Sequence, residues 1–435
     1  MEQVFGPGIR LDNERKPALR SALRILPTPE ELILPICPWT ERNEWQTARI
    51  GEQLQPERAA ALCGARGRAV CPPVAGRVTA LEERSMPGGE SWLCMILAVT
   101  GEAADKYSPL RRQSGSIGRE EILQAAAVTS LTDELDGADL SDKLRKLAQE
   151  RVEILVCDAV CDDPYNTDAL RALLEHAEEV LMGLELAASA CGGCRMMVVT
   201  SRAAEATARA ATNLRKQMNV PYLDVTGRYP IWVNLQQKAP FAGHRIGRIG
   251  PQACLRLLRA ARLHRAPDRC IITVGGSAMY ETVHYSVTVG TPISKVLERC
   301  EMVPEGSRMV AVYAALRGES VWNTEETPVT QNTRCILAFT SLPPVPRACI
   351  GCGRCVASCP AGVFPLYALR AMERGDKAQA EQFGLRNCID CRACEAACPA
   401  NIPVAARLLR AADKDPKPLE LWRNRREVRT DALHR

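Results

Sequence analysis

Two cysteine-rich segments near the C-terminus constrain this 435-residue chain more than any other feature. The first segment has cysteines at positions 349, 352, 355 and 359, and the second repeats that spacing 39 positions later. Both follow the pattern C-x2-C-x2-C-x3-C, and each is closed by a proline, Pro360 or Pro399. This spacing is typical of chains with two 4Fe–4S clusters, in which three thiolates hold one cluster and the fourth ligates the other. A structural zinc site is the alternative, but two copies in register favour the clusters.

The ferredoxin pattern predicts which cysteines share a cluster. One cluster would be held by Cys349, Cys352, Cys355 and Cys398. The other would be held by Cys388, Cys391, Cys394 and Cys359. The small residues between these ligands let the backbone approach the cluster closely enough to donate N–H···S bonds. Because a one-electron relay requires neither a nucleophile nor a general base, we predict no catalytic residue in this chain.

Composition narrows the class of protein further. A hydrophobic content of 46% and a charged content of 25% are those of an ordinary globular protein, and 47.6 kDa suffices for two to four domains. The net charge is only +5 and aromatic residues make up 4%, so no nucleic-acid partner is predicted. The N-terminus lacks the pattern of a signal peptide, and the best apolar run, 92–99, is too short to span a bilayer. We therefore expect no transmembrane segment, a cytoplasmic protein, and only peripheral membrane association.

The part of the chain before the motifs divides into three regions. Residues 1–110 consist of an irregular segment and short strands broken by glycine and proline, which favours a small β-barrel or sandwich. Residues 111–266 alternate strands with helices, including long helices over 168–190 and 203–217, and this alternation predicts a mostly parallel sheet. Residues 267–341 have strands around one short helix, as in a β-grasp fold.

The remaining residues form two regions. Residues 342–412 follow a proline-rich linker and contain both cysteine motifs, separated by a helical pair that breaks at Gly375. Residues 413–435 are a charged tail. Together the five regions predict an α+β multidomain protein with a helical, ferredoxin-type domain at its C-terminal end.

The order of these parts resembles RnfC, the peripheral redox subunit of the Rnf membrane electron-transport complex. It also resembles the related cobalamin reductase of propanediol-utilising microcompartments. The residues that carry the resemblance are 349–403, the glycine-containing stretch Val274 to Ile293, Pro72 to Val78, and Asp163-Pro164-Tyr165 followed by Asp168.

The resemblance implies a barrel-sandwich hybrid domain within 1–110, a Rossmann-like flavin-domain core in 111–266, and a β-grasp domain of the soluble-ligand-binding (SLBB) type in 267–341. It also implies an electron-transfer subunit that relays electrons between a soluble donor or acceptor and a membrane-bound complex. Its partners would be membrane-embedded and soluble redox subunits, and its place would be the inner face of the cell membrane.

The chain departs from this family where FMN and NADH would bind. Relatives have a glycine-rich loop there, because phosphate must approach backbone N–H groups without a Cβ in the way. This chain has only the isolated glycines Gly115 and Gly118, and Tyr229-Pro230 is followed by Ile231 rather than the family's glycine step. We predict a retained fold that has lost its nucleotide site.

Two other functions stay open from the sequence. One is a flavoenzyme that oxidises NADH or reduces a cobalamin through an unusual nucleotide loop. The other is a scaffold that docks redox partners while its clusters connect another protein's flavin. Bound FMN that NADH bleaches would favour the flavoenzyme.

Four cysteines outside the motifs and one acidic run are further candidates for functional or structural roles. Cys191-Gly-Gly-Cys194 suits a redox dithiol, half a zinc site or a simple helix-ending turn, and Cys157 and Cys161 could join it as a four-thiolate metal site. The acidic residues Asp133, Glu134, Asp136 and Asp139 are typical of a solvated loop and helix start.

Overall fold

The computed structural model describes residues 2–4 (backbone only), 6–11, 21–56, 58–64, 68–101, 110, 116–201, 220–238 and 240–411. The chain forms two compact units. The first contains Asn13–Val225 and Gly243–Leu342, and the second contains Gln3–Asp12, Thr226–Ala242 and Pro343–Arg435. The predicted charged tail, 413–435, and the predicted helix over 203–217 lie outside the described residues.

The first unit begins with two small antiparallel sheets. The strands of the larger sheet stand in the order Glu31–Pro38, Ser91–Val99, Gly76–Ser85 and Gln53–Leu54. The smaller sheet has the strands Gln46–Thr47, Ala61–Cys63 and Arg68–Val70. Successive residues of the first strand enter different apolar clusters, Leu32 and Leu34 in one and Ile33 in the other, because strand side chains alternate between faces. The short strands predicted for 1–110 are therefore present, and both faces of the larger sheet are covered.

A parallel sheet follows, as the alternating pattern predicts. Its parallel strands stand in the order Tyr222–Gly227, Arg195–Ser201, Ile154–Ala159 and Ile246–Ile249. Every residue of the strand Ile154–Ala159 is buried, as expected for a strand covered on both faces. The helices of this region are Arg119–Val128, Leu140–Gln149, Asp168–Glu175, Ala177–Ala190 and Pro251–Leu263.

The single helix predicted over 168–190 is wrong. The structure has two helices that meet at His176, whose φ of −130° and ψ of 35° are not helical. The backbone N–H of His176 still bonds to Ala172, and the His176 carbonyl still accepts from Val180. Most backbone hydrogen bonds are therefore kept at the break. Since the apolar periodicity also continues through His176, the sequence contains no sign of the break.

The third sheet of this unit is mixed. Its strands stand in the order Glu319–Val321, Met309–Val312, Cys335–Phe339, Arg269–Gly275, Val283–Thr288 and Leu23–Ile25. The short helix Ile293–Leu297 contributes Ile293 and Val296 to the same apolar core. The sequence predicts three of these strands but not the central strand Cys335–Phe339, which pairs in parallel with Arg269–Gly275 and antiparallel with Met309–Val312.

The acidic run at 133–139 is only partly the solvated loop that its composition suggests. Asp139 caps the helix Leu140–Gln149, accepting from the N–H of Asp142, so the predicted helix start is confirmed. Asp133 and Glu134, however, are buried. Asp133 pairs with buried Lys143 at 2.7 Å. The prediction of solvation was wrong for these two carboxylates because their partners come from distant or following helices rather than from adjacent residues.

The second unit is mainly helical. Its helices are Ile231–Leu235, Arg354–Ala357, Pro365–Glu373, Lys377–Gln382, Ala393–Ala396 and Val404–Ala411. Its apolar core includes Leu369, Leu385, Val404 and Leu408. The predicted helical pair between the cysteine motifs is present, with Gly375 between its two members. In the part of the chain that the structure describes, no helix combines the length and apolar character needed to cross a membrane.

Candidate functional site

The two cysteine motifs fold as two copies of one structural unit. The short helix Arg354–Ala357 in the first copy corresponds to Ala393–Ala396 in the second, 39 positions later. The helix Pro365–Glu373 likewise corresponds to Val404–Ala411. The repeat therefore extends beyond the cysteines to the helix that follows each motif.

Backbone conformation repeats with the same offset. Gly351, Gly353 and Gly362 have positive φ angles of 70°, 69° and 66°. The equivalent residues of the second copy, Asp390, Arg392 and Asn401, have φ angles of 51°, 60° and 53°. L-residues adopt this left-handed region only at an energetic cost, so its retention without glycine indicates that the turn geometry is required.

Four cysteines from both motifs line one small cavity. Cys388, Cys391 and Cys394 of the second motif meet Cys359, the last cysteine of the first motif. Cys391 and Cys394 are buried, while Cys359 and Cys388 are partly exposed. The rest of the lining is apolar except for Arg392: Ala361, Val363, Pro365, Ile389, Ala405 and Leu408.

The other four cysteines lie nearer to solvent. Cys352 is exposed, and Cys349, Cys355 and Cys398 are partly exposed. Cys398 of the second motif is close enough to Cys355 to influence the titration of its thiol electrostatically. Each motif thus places its fourth cysteine beside cysteines of the other motif.

Backbone N–H groups point at two of these sulfurs. The N–H of Gly351 donates to Cys349 Sγ at 3.4 Å, and the N–H of Val363 donates to Cys359 Sγ at 3.3 Å. Such bonds favour the anionic form of sulfur, and they are one of the means by which a protein tunes an iron–sulfur centre.

Burial and neighbouring thiols raise the pKa of two thiols of the cavity, Cys388 and Cys394. Burial raises the pKa of Cys394, and the neighbouring Cys391, Cys388 and Cys359 raise it further. Burial also raises the pKa of Cys388, which lies close to Cys359. A group of thiolates packed this closely needs a cationic group to hold its charge, and iron in a cluster supplies that positive charge. The donor set therefore fits a 4Fe–4S cluster.

An ion-paired arginine, Arg392, lies beside the cysteines of the second motif. Arg392 Nε lies 2.5 Å from Asp390 and its guanidinium lies 3.4 Å from Glu395. Burial alone would lower the pKa of Arg392, but these two carboxylates outweigh burial and raise it. The equivalent of Arg392 in the first motif is Gly353, so the two halves differ in charge as well as in exposure.

Comparison with known proteins agrees with this geometry. Residues 348–402 match the family described as "4Fe-4S dicluster domain". The RnfC subunit of the ion-translocating oxidoreductase complex of Yersinia pestis bv. Antiqua is 26% identical over 86% of this chain and 63% of its own length. The corresponding protein of Rhodobacter capsulatus is 27% identical over 76% of this chain and 67% of its own length. The chain is similar to RnfC.

The likeness to RnfC covers a larger share of this chain than of the relatives. The chain spans about three fifths of the length of the Yersinia proteins that it matches. Among solved structures, an NAD+-reducing NiFe hydrogenase matches with 14% sequence identity and a TM-score of 0.41, covering 72% of this chain and 65% of that one.

The Tyr-Pro landmark of RnfC-like chains lies in the same unit as the cysteine motifs. Tyr229 is buried, and its hydroxyl donates to the carbonyl oxygen of Cys391 at 2.8 Å. The helix that follows, Ile231–Leu235, is fully buried, and Trp232 packs against Phe241 at a ring distance of 5.8 Å. The sequence contains no local signal that this segment would support a cysteine loop some 160 positions away.

The stretch Asp163-Pro164-Tyr165 and Asp168, which carries part of the resemblance, makes contacts within the protein. One Asp163 oxygen accepts from the backbone N–H of Tyr165, and the other accepts from the N–H of Ala315 at 2.8 Å. Asp168 is buried and pairs with Arg334 at 3.1 Å. Gly115, the first glycine of the altered loop, lies outside the described residues.

The four additional cysteines do not form one site. Cys157 lies against Cys254, and Cys161 Sγ contacts the carbonyl of Ala159 at 3.7 Å. Cys191 and Cys194 lie together at the end of the helix Ala177–Ala190. Cys191 and Cys194 line a surface cavity without Cys157 or Cys161, and Cys161 packs against Leu170 instead, so the four-thiolate hypothesis is wrong.

Proposed function

We propose that this chain is an electron-transfer subunit that carries two 4Fe–4S clusters. Its ligand sets would be Cys349, Cys352, Cys355 and Cys398 for one cluster, and Cys388, Cys391, Cys394 and Cys359 for the other. The observation that carries the proposal is the cavity in which Cys359 meets three cysteines of the second motif. The match of residues 348–402 to the dicluster family supports the same interpretation.

Each cluster would supply one-electron chemistry without proton abstraction or bond formation by the protein. The chain's own residues would hold the clusters, exclude water from one of them and set their electrostatic surroundings. Backbone donors at Gly351 and Val363 would stabilise negative charge on the cysteine sulfurs. Exposed Cys352, with Ile350 71% exposed beside it, would mark the surface where a redox partner exchanges electrons.

The proposed partners are the membrane-embedded and soluble redox subunits of an Rnf-like complex. The names of the similar proteins, which assign them to ion-translocating oxidoreductase complexes, support this proposal. We place the chain at the cytoplasmic, inner face of the cell membrane as a peripheral subunit.

The domain proposal is a barrel-sandwich hybrid within 1–110, a Rossmann-like core in 111–266, an SLBB-type β-grasp in 267–341 and a dicluster domain in 342–412. It is supported by the antiparallel sheets of the first region, the parallel sheet of the second and the mixed sheet around Ile293–Leu297 in the third.

The ligand assignment is tested by serine substitution in the full chain, purified without oxygen. Cys352→Ser and Cys391→Ser should each lower iron and sulfide from about eight to about four per chain, because each removes a ligand of one cluster. Cys63→Ser, a buried cysteine far from the motifs in sequence, is the matched control and should leave iron unchanged.

The fourth cysteine of each motif, Cys359 or Cys398, tests which cysteines hold the same cluster. Cys359→Ser should remove the same electron paramagnetic resonance signal as Cys391→Ser, and Cys398→Ser should remove the same signal as Cys352→Ser. If Cys359→Ser instead matched Cys352→Ser, each motif would hold its own cluster and the assignment would be overturned. Full iron content in all four variants would contradict the proposed function itself.

A further inference from the structure

A second pair of thiols lies in a surface cavity of the first unit. The cavity has a volume of about 460 Å³ and is lined by Cys191, Gly192, Gly193 and Cys194 on one side. The other side is formed by Ala148 of the helix Leu140–Gln149 and by Arg151, Val152 and Glu153 of the loop before the strand Ile154–Ala159. None of these residues belongs to the cluster site.

The loop between the two cysteines is open. Gly192 and Gly193 have φ angles of 97° and 84°, and no atom lies within 4 Å of a Cβ built at either position. Gly192 and Gly193 are both exposed. A small molecule can therefore approach the loop, and the backbone there is free of side chains that would block it.

The two thiols differ in accessibility. Cys191 is 5% exposed and packs in the apolar core, whereas Cys194 is partly exposed in the cavity. The interaction with Cys194, together with burial, raises the pKa of the Cys191 thiol, and the interaction with Cys191 lowers the pKa of Cys194 to about 7. Backbone N–H groups of Cys194 and Leu155 add to the lowering, against the opposing effect of burial. The accessible sulfur is the one that ionises, and the buried sulfur is held as a thiol beside it.

The cavity is electropositive. Arg151 and Arg195 are exposed at its edge, and among the described residues neither side chain makes an ion pair. Among the described residues that line the cavity, Glu153 is the only acidic one, and it is paired with His244 at 2.5 Å and Arg245 at 3.3 Å. Unopposed guanidinium groups attract carboxylates, so the ligand that suits this cavity is anionic.

We propose that Cys191 and Cys194 are a redox-active dithiol that reduces a small disulfide bearing carboxylate groups. The adjacent thiols, the open diglycine loop and the arginine-edged cavity carry the proposal.

The exchange needs no reactant other than the disulfide. The Cys194 thiolate attacks one sulfur of the substrate, and the substrate S–S bond breaks. One half of the substrate departs as the first product thiolate, and the other half stays bound to Cys194 as a mixed disulfide. Cys191 then attacks Cys194 Sγ and gives up its proton as the second product thiolate leaves. The protein is oxidised to a Cys191–Cys194 disulfide, and the substrate is reduced by two electrons to two thiols.

The test uses the full cluster-containing chain without oxygen and one equivalent of 5,5′-dithiobis(2-nitrobenzoic acid), a dicarboxylate disulfide. We expect about two equivalents of coloured thiolate in a rapid phase and a Cys191–Cys194 disulfide in peptide mass maps. Cys191→Ser should release about one equivalent and retain the mixed disulfide on Cys194. The adjacent but buried pair Cys157 and Cys254 is the internal control and should stay reduced.

Rates provide a second, independent readout. The rate of alkylation of Cys194 should increase as the pH rises through about 7, the pKa of its thiol. At pH 7 it should exceed alkylation of half-buried Cys71, whose pKa burial raises to about 11, by more than about tenfold. Arg195→Gln should lower the rate of reaction with the dicarboxylate disulfide at least about threefold. The rate of reaction with neutral 2-hydroxyethyl disulfide should stay unchanged.

Three outcomes would overturn the proposal. Cys194 could react no faster than Cys71, the Cys191→Ser variant could form no adduct on Cys194, or the first equivalent could oxidise other cysteines without forming the Cys191–Cys194 bond. Equal slowing of both disulfides by Arg195→Gln would reject the carboxylate preference.

Discussion

The left-handed residues of the cysteine motifs show how strongly a ligand loop constrains single positions. Gly351 and Gly353 adopt positive φ without steric penalty, while Asp390 and Arg392 adopt it despite a Cβ. In the second motif the ion pair between these two side chains compensates, because it holds both residues in the turn. The two motifs therefore have the same backbone conformation, which glycine permits in the first and an ion pair stabilises in the second.

Gly353→Ala should weaken the first motif. At a φ of 69° an added Cβ costs about 1–2 kcal/mol, although it would meet no atom within 4 Å. We expect iron to be lost to a chelator about tenfold faster in this variant, since about 1.4 kcal/mol is a factor of ten. Gly118→Ala is the matched control, because Gly118 also has open space around it but an ordinary φ of −65°. Equal rates for the two variants would show that the left-handed turn is not required.

At the scale of elements, the two copies of the motif have the same backbone but different surroundings. Ile350 is 71% exposed, whereas its equivalent Ile389 is 5% exposed. Cys352 is exposed and Cys391 is buried. Both copies have the helix that follows the motif, so the difference arises from what packs over each copy rather than from the repeat itself.

For the two proposed clusters, this asymmetry predicts two separate reduction potentials. Solvent stabilises the added negative charge of a reduced cluster, so the exposed site should have the higher potential, by at least about 60 mV. Arg392→Gln should lower only the potential of the buried site, because it removes a cation beside Cys394 and leaves Asp390 and Glu395 unopposed. Arg354→Gln, near the exposed motif, is the counterpart that should act only on the other site. A potentiometric titration followed by electron paramagnetic resonance measures both, and coincident potentials would contradict the prediction.

At the scale of the whole molecule, buried charges join distant parts of the first unit. Glu134 accepts from the backbone N–H groups of Gln252 and Ala253 at 2.7 and 2.8 Å, and it pairs with buried Arg256 at 3.1 Å. This carboxylate caps the helix Pro251–Leu263 and lies at its positive end. A side chain from one segment thereby satisfies the end of a helix more than a hundred positions later.

Glu134→Ala should destabilise the first unit by about 3–5 kcal/mol, because it leaves buried Arg256 without its carboxylate partner and two helix N–H groups unsatisfied. Hydrogen exchange of the helix Pro251–Leu263, measured in the full chain, should rise accordingly. Glu121→Ala, at an exposed position in another helix, should change stability by less than about 0.5 kcal/mol. Similar exchange in both variants would show that Glu134 is dispensable.

Much of the fold could be predicted because its signals are local. The apolar pattern over 91–99 predicts a strand, and Pro251 followed by apolar periodicity up to Leu263 predicts a helix; the structure has both with these bounds. The break at His176 and the central strand Cys335–Phe339 were missed. The first costs few hydrogen bonds, and the second depends on two strands distant in sequence.

The sequence by itself determined the chemistry of the motifs, because ligand spacing on a tight turn is a local property that eight cysteines and two prolines record directly. Only the tertiary structure decided which motif is buried, that Tyr229 supports the Cys391 loop, and that Cys191 and Cys194 share an open cavity without Cys157 or Cys161. These features depend on contacts between residues far apart in the chain. Local patterns of polarity do not encode such contacts, because burial is set by whatever packs over a residue.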